Sequence, residues 1–314
     1  MSLTIFGNIY INDKLKLEML KISCNSFCNA NIEKWVLNIR GTYKKQAKDF
    51  LKNNVKQKKF FFDLDSNEGW FHDSRIMSKE INSKYVFNWI EDHVNLQNNE
   101  FFNNVINELN KVDAEYLMYS NFFFGDQLKS FKILNLYETD NLVYCFYDLD
   151  SHQKRITEID YIKPKDHKIG RIRTKLSASK YIISMPSILK TNLFNNVLSN
   201  DDLIFKRWPI KTPFDFEKRE SDISWLPIKV AYAKKEFFAT IDDNHGFKGY
   251  SLIERKHPII TKILSEKKTL SPNFADKYDK ENVFFNIKKF FKEKINNLYH
   301  KIQYKFKSKK VKYD

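Results

Sequence analysis

The sequence predicts an α/β fold: a mixed, mainly parallel sheet flanked by helices, followed by a basic amphipathic C-terminal helix. Three observations lead there. In the first 125 residues, short apolar runs alternate with segments of helix length, the pattern of parallel βαβ units. With 42% hydrophobic and 16% aromatic residues in 314, the chain can bury a large core without disulfide or metal staples. Only 7 Gly and 7 Pro are present, which excludes collagen-like and linker-like architectures.

The elements follow in order. Leu3-Thr4-Ile5-Phe6-Gly7 is an apolar run closed by Gly, and Leu15 to Cys28 carries Leu17, Leu20 and Phe27 at helical spacing. Lys34 to Ile39 is a second strand ended by Arg40-Gly41, and Tyr43 to Asn53 a polar, Lys-rich helix. Lys59 to Leu64 is the third strand, Ser66-Asn67-Glu68-Gly69 a turn, Phe71 to Asn82 a helix, and Tyr85 to Ile90 the fourth strand. Phe131–Tyr137, Leu142–Asp148 and Ile156–Ile162 then read as an antiparallel set. Tyr181 to Met185 reads as a strand and Ser187 to Leu198 as a helix. From Arg207 to Pro227 the Trp and Pro residues suggest an ordered loop shaping a pocket. Residues 1–125 and 126–260 are expected to be two halves of one catalytic domain, nucleotide-binding and acceptor-side, with 277–314 a separate tail.

The charge is +15, and residues 277–314 hold 12 Lys against 4 acidic residues, a net of +8. Such a surface attracts polyanions or anionic lipid. Val283, Phe284, Ile287, Phe290, Phe291, Ile295, Leu298 and Ile302 form an apolar stripe in that tail, with lysines on its other faces. That combination fits a helix docked on the protein's own core, but the charge density and the polybasic Lys305-Phe306-Lys307-Ser308-Lys309-Lys310 run favour a helix lying on an anionic membrane. Cys24, Cys28 and Cys145 form no zinc pattern and read as free thiols in a reducing compartment. The start of the chain has no basic segment followed by an apolar run, and no stretch approaches membrane-spanning length. These features predict a cytoplasmic protein, peripheral at the inner face of the membrane.

The most informative stretch runs from Ser66-Asn67-Glu68-Gly69 through His72-Asp73-Ser74-Arg75 to Trp89-Ile90-Glu91-Asp92-His93. A turn opens a helix, the helix feeds a buried strand, and acidic residues end that strand. Carboxylates at the carboxyl end of a sheet strand lie where α/β ligands bind, and can hold a hard divalent cation that bridges a diphosphate. Arg75 suits phosphate contact. Taken alone, Glu91-Asp92-His93 also fits a solvated strand-to-loop junction.

This layout resembles the GT-A-fold, Rossmann-like glycosyltransferases that use nucleotide sugars. Asp73-Ser74-Arg75 is similar to the family's helix element, and Arg75 precedes Asp92 by 17 positions, similar to the family spacing. Glu91-Asp92-His93 stands in place of the Asp-x-Asp metal motif, with His93 at the second Asp. Ile5-Phe6-Gly7-Asn8 is similar to the opening nucleotide-binding strand, although it lacks the family's acidic residue at its end.

The resemblance implies transfer of a sugar from a nucleotide-diphosphate sugar to a polysaccharide or lipid-linked acceptor, with Mn²⁺ or Mg²⁺ and with inversion. It implies donor binding by Phe6, Gly7, Asn8, Asp65, Asp73 and Arg75, and metal binding by Glu91 and Asp92. His245, in Asp242-Asp243-Asn244-His245-Gly246, is similar to a late-loop metal ligand, although that stretch is also an ordinary turn composition. A general base for inversion is expected at Asp215 or Glu217, set among aromatics, with Asp222 a third option. Asp215 also fits a helix cap.

Asp63-Leu64-Asp65 and Asp148-Leu149-Asp150 spell Asp-x-Asp without the helix-then-strand approach. Both are read as surface turns, Asp63/Asp65 bordering the nucleotide site. Expected partners are the nucleotide sugar, the glycan or lipid-linked acceptor and, through the tail, an anionic membrane, without nucleic acid. A nucleic-acid-binding protein and a non-catalytic membrane-associated scaffold are the alternatives.

Overall fold

A computed structural model describes residues 3–27, 30–65, 68–117, 136–146, 186–199, 229–242, 251–263 and 265. The chain divides into two compact units, Met1–Ile260 and Thr261–Asp314. The first unit is built on a nine-stranded sheet. Its strands are β1 (Leu3–Tyr10), β2 (Lys34–Arg40), β3 (Lys58–Phe62), β4 (Tyr85–Asn88), β6 (Tyr116–Leu117), β7 (Leu136–Glu138), β8 (Leu142–Phe146), β9 (Ser187–Lys190) and β10 (Lys229–Ala233).

The strand order is β3-β2-β1-β4-β9-β6-β10-β8-β7. β3, β2, β1 and β4 pair in parallel. β9 runs against β4 and β6, and β8 against β10 and β7, so only β8 and β9 oppose the common direction. The sheet is mixed and mainly parallel, as the sequence predicts. β5 (His93–Asn95) and β11 (Phe238–Thr240) form a separate antiparallel ribbon.

Helices cover both faces. On one lie α1 (Lys14–Phe27), α2 (Lys44–Asn54) and α4 (Asn99–Val112); on the other lie α3 (Trp70–Ser78) and α5 (Thr191–Ser199). The alternation of β1 decides which residues meet which layer. Phe6 points toward α3 and α5, where its ring meets Trp70 at 6.3 Å and Phe194 at 4.9 Å. Gly7 points the other way, under the Trp89 indole, whose Nε1 donates to Ser23 Oγ of α1 at 2.8 Å. Phe27 of α1 then packs on Phe87 and Phe102. Each buried aromatic side chain contributes about 1.5–3 kcal/mol, so these rings carry much of the stability of the layers.

Two local differences from the sequence expectation are physical. Ser187 to Leu198 was expected as one helix. Ser187–Lys190 is instead strand β9, paired to β4 and β6, and the helix begins at Thr191. The vacant edge of β4 gives Ile188 and Leu189 a fully buried strand position that outweighs local helical spacing. The second difference is α4, capped at Asn98, whose side chain accepts from Phe101 N at 2.8 Å. The expected antiparallel pairing is present between Leu136–Glu138 and Leu142–Phe146. Phe131 to Asn135, Tyr147 to Asp148, Ile156–Ile162, Tyr181–Met185, Arg207–Pro227 and the 277–314 tail lie outside the described residues. Among the described residues no helix is long and apolar enough to cross a membrane.

Candidate active site

The parallel strands β3, β2, β1 and β4 end together, and the crevice beyond their carboxyl ends is where ligands of such sheets bind. Its floor is an amide relay. Asn8 of β1 and Asn38 of β2 are register partners, and Asn38 Nδ2 donates to Asn8 Oδ1 at 3.2 Å. Asn8 Nδ2 in turn donates to the Trp70 carbonyl at 3.2 Å and to Ser74 Oγ at 3.1 Å, and Trp70 Nε1 returns a bond to the Asn8 carbonyl at 2.9 Å. Asn38 also accepts from Leu64 N and donates to Leu64 O. Three strand ends and the start of α3 are thereby fixed by two buried side chains.

Next to this floor the two crossover loops meet. Ile11 N donates to Arg40 O at 2.8 Å, and Tyr43 N to Ile11 O at 3.0 Å. Gly41 sits in that crossing at φ +96°, where an added Cβ would stand 2.3 Å from the Ile11 carbonyl oxygen. Only glycine fits this conformation and this approach. The crossing places Arg40 at the end of β2, buried and close in charge to Asp73 and Glu91. Burial pulls the Arg40 guanidinium below its ordinary value, while Asp73, Glu91 and Tyr10 act against that shift.

After β4 come Glu91, Asp92 and His93, and they separate. Glu91 turns inward, with only 8% of its side chain exposed, and its carboxylate meets Lys16 Nζ of α1 at 3.4 Å. Burial, then the charge of Asp92, pushes its pKa up to about 7, against the pull of Lys16. Burial lowers the Lys16 ammonium, but Glu91, Asp92 and Asp13 outweigh it, and its pKa rises.

Asp92 faces outward, 24% exposed. Its Oδ1 lies 2.5 Å from Nδ1 of His93, whose ring is 2% exposed. A buried imidazole thus braces an accessible carboxylate, the arrangement by which outer groups orient metal-binding carboxylates. The backbone here is also held: Ser23 Oγ donates to the His93 carbonyl, and Ile241 N donates to Asp92 O at 2.7 Å. Thr240 pairs with His93 in the β11–β5 ribbon and Ile241 lies against Asp92, so the chain leaves that ribbon at Asp242, one residue further on. Asp242 opens the second motif singled out in the sequence.

The remaining predicted residues divide. Asn8, Asp73, Glu91 and Asp92 stand at the crevice. Phe6 is instead fully buried core, and Gly7 is a packing position beneath Trp89, where a Cβ would lie 2.9 Å from the ring. Arg75 reaches across to α5, where Nη1 donates to the Leu198 carbonyl at 3.0 Å, so it ties two helices together. Asp65 is exposed at the end of β3, and Asp63 is bound by Lys44 and Lys48. Asp148, Asp150, Asp215, Glu217, Asp222 and His245 lie outside the described residues. Lys16, Arg40 and Asn38 were not anticipated. The signals were present for two of them: Asn8 and Asn38 repeat one polar residue late in two adjacent strands, and Arg40 directly precedes the Gly41 that ends β2.

Among the described residues no three His, Cys, Asp or Glu side chains gather as a metal site. The described donor closest to that role is Asp92, an oriented and accessible carboxylate. Glu91 is turned to Lys16, and His93, buried behind Asp92, holds its carboxylate.

No family model and no curated protein matches the chain. Solved structures similar to it include S. aureus TarS 1-349, at 11% identity and TM-score 0.42, covering 85% of this chain and 66% of that one. The same protein in complex with UDP-GlcNAc aligns at 13% identity and TM-score 0.42, over 78% of this chain and 60% of that one. Core-mannan synthase A from Aspergillus fumigatus in its Mn/GDP form aligns at 12% identity and TM-score 0.34, over 68% of each chain. The chain spans 66% and 60% of the length of these two TarS 1-349 structures. At these TM-scores the likeness carries nothing about function.

Proposed function

We propose that the chain is a glycosyltransferase that binds a nucleotide-diphosphate sugar beyond the carboxyl ends of β1, β2 and β4 and transfers the sugar to a glycan or lipid-linked acceptor. The observation that carries this reading is Asp92. It is an outward-facing carboxylate after a central parallel strand, braced by His93 at 2.5 Å, with the Lys16 ammonium close in charge to it and the Arg40 guanidinium close to its neighbours Glu91 and Asp73. A diphosphate needs positive charge on one side and a cation held by carboxylate on the other. The fit with the described residues is partial: Asp92 would hold the cation, and Asp242 and His245 are the candidates to complete its shell. A bound Mn²⁺ or Mg²⁺ would neutralise charge developing on the leaving diphosphate.

The chain's own residues do the rest. His93 keeps the Asp92 carboxylate in one rotamer. The Asn8–Asn38 relay fixes the strand ends and α3, so the crevice is rigid before the donor arrives. Glu91 balances Lys16, which orients the ammonium at the crevice wall. For an inverting reaction, Asp215 or Glu217 would take the proton of the acceptor hydroxyl. A site at the inner face of a membrane, reached through the 277–314 tail, suits a lipid-linked acceptor.

The test is a panel of nucleoside-diphosphate sugars incubated with the protein and Mn²⁺ or Mg²⁺, reading released nucleoside diphosphate. Turnover with at least one donor that disappears with chelator supports the reading. No turnover or binding with any donor, in a folded protein, rejects it.

A further inference from the structure

The positive charge of this chain is concentrated in two places. Residues 277–314 hold 12 Lys and 4 acidic residues, and residues 44–59 hold 7 Lys and 1 Asp, net charges of +8 and +6. Of the total of +15, only +1 remains for the other 260 residues. The second concentration lies on the described fold, on α2 and the adjoining β3, the strand at one edge of the nine-stranded sheet.

Its geometry sets it apart from ordinary solvated lysines. α2 buries Ala47 and Leu51 and turns a purely polar face outward. Lys45 and Lys52 are exposed and two helical turns apart, hence on one stripe, and exposed Lys56 follows just past the helix end. Beside the stripe, β3 turns Phe61 to the α2 side and Phe60 and Phe62 to its other face, all three half-buried. Lys58 Nζ stands 4.6 Å from the centre of the Phe60 ring, and Lys52 Nζ 5.9 Å from that of Phe61. Lys44 and Lys48 are shared with Asp63, and Lys59 caps the end of α2 through the Lys52 and Val55 carbonyls. Four lysines therefore face outward without a carboxylate partner among the contacts of the described fold: Lys45, Lys52, Lys56 and Lys58.

We propose that the α2–β3 edge is a docking face for an anionic lipid bilayer. Lys45, Lys52 and Lys56 meet the head groups, and the half-buried ring of Phe61, on the α2 side of β3, sits at the interface. Lysines laid over aromatic rings suit a boundary between water and lipid: the ammonium reaches the phosphate layer while the ring beneath meets the apolar side. The charge is spread over a helix face and the segment just past its end, a patch that matches a surface. Each lysine brought near an anionic membrane adds roughly fivefold to partitioning. The proposal uses no residue of the 277–314 tail and needs no reading of the active site.

The experiment compares two full-length variants with equal loss of charge. One is K45Q/K52Q/K56Q; the other is K79Q/K111Q/K235Q, three exposed lysines outside α2 and β3. Each is sedimented with vesicles of phosphatidylcholine alone or with about 30% phosphatidylglycerol. The expected result is that wild type binds only the anionic vesicles, that the α2 variant loses at least tenfold in partitioning, and that the control loses less than threefold. Equal losses in both variants would reduce the effect to net charge and overturn the proposal. So would an α2 variant that keeps its vesicle binding while losing affinity for a single-stranded oligonucleotide, which would assign the face to a linear polyanion.

Discussion

Two charged regions of this molecule are built on opposite rules. At the carboxyl ends of the parallel strands, buried Arg40, Asp73 and Glu91 and partly exposed Lys16 and Asp92 are linked by charge, Asp73 to Arg40, Arg40 to Glu91, and Glu91 to Lys16 and Asp92, and the signs nearly cancel. On α2 and β3, seven lysines stand against one acidic residue within 16 positions, mostly exposed. Buried charge must be paired, because desolvation costs several kcal/mol per ion. Exposed charge need not be. The first arrangement fixes geometry at the price of tolerance; the second exerts attraction at a distance and tolerates substitution. The proposed chemistry rests on the first and the proposed docking on the second.

That contrast yields graded expectations. Asp92→Asn keeps size and removes charge at the crevice, and should lower sugar transfer by at least about a thousandfold, measured by product release, with an unchanged circular dichroism spectrum. Full activity in that variant would move the chemistry elsewhere. His93→Gln should act through Asp92. We expect a loss of about 10- to 100-fold in metal affinity, with saturating Mn²⁺ restoring part of the rate. Gly41→Ala places a Cβ against the Ile11 carbonyl and should cost about 2–4 kcal/mol of stability by denaturant titration.

Glu91 gives a pH signature. Its folded pKa, about 7, stands above the ordinary carboxylate value of 4.5, so the folded state holds the proton more tightly than the unfolded chain does. Its contribution is most favourable below pH 4.5 and is lost as pH rises through about 7. The stability of Glu91→Gln relative to wild type should therefore rise across that window, as read from melting temperatures at pH 5 and pH 8. At the small end, Lys45→Gln or Lys52→Gln alone should change stability by less than about 0.5 kcal/mol. A large loss there would make α2 a structural element and erase the contrast.

Much of the parallel half was legible in the sequence. Leu3–Gly7, Lys34–Ile39 and Tyr85–Ile90 are apolar runs long enough to be read as buried strands, and α1 shows its period through Leu17, Leu20 and Phe27. The strand at Ser187–Lys190 was not legible, because four residues carry no reliable period and the β4 edge that recruits them is about a hundred positions away. α4 escaped because its Asn-rich surface hides Phe102, Val105, Ile106 and Leu109, though Asn98 signals its start. Of the site, Asp92 was legible as a carboxylate ending a strand. What was not legible is the division of labour among neighbours: Glu91 turned to Lys16, His93 turned behind Asp92, and Arg75 spent on Leu198. Those depend on which helix packs on which face, a property of the assembled layers.

The most direct test of the account is calorimetric titration of a nucleoside diphosphate into wild type and Asp92→Asn, each with Mn²⁺ and with chelator. The account predicts binding to wild type that weakens at least tenfold when the cation is removed, and binding to Asp92→Asn that is weak and indifferent to the cation. Equal, cation-independent affinity in both proteins would contradict it.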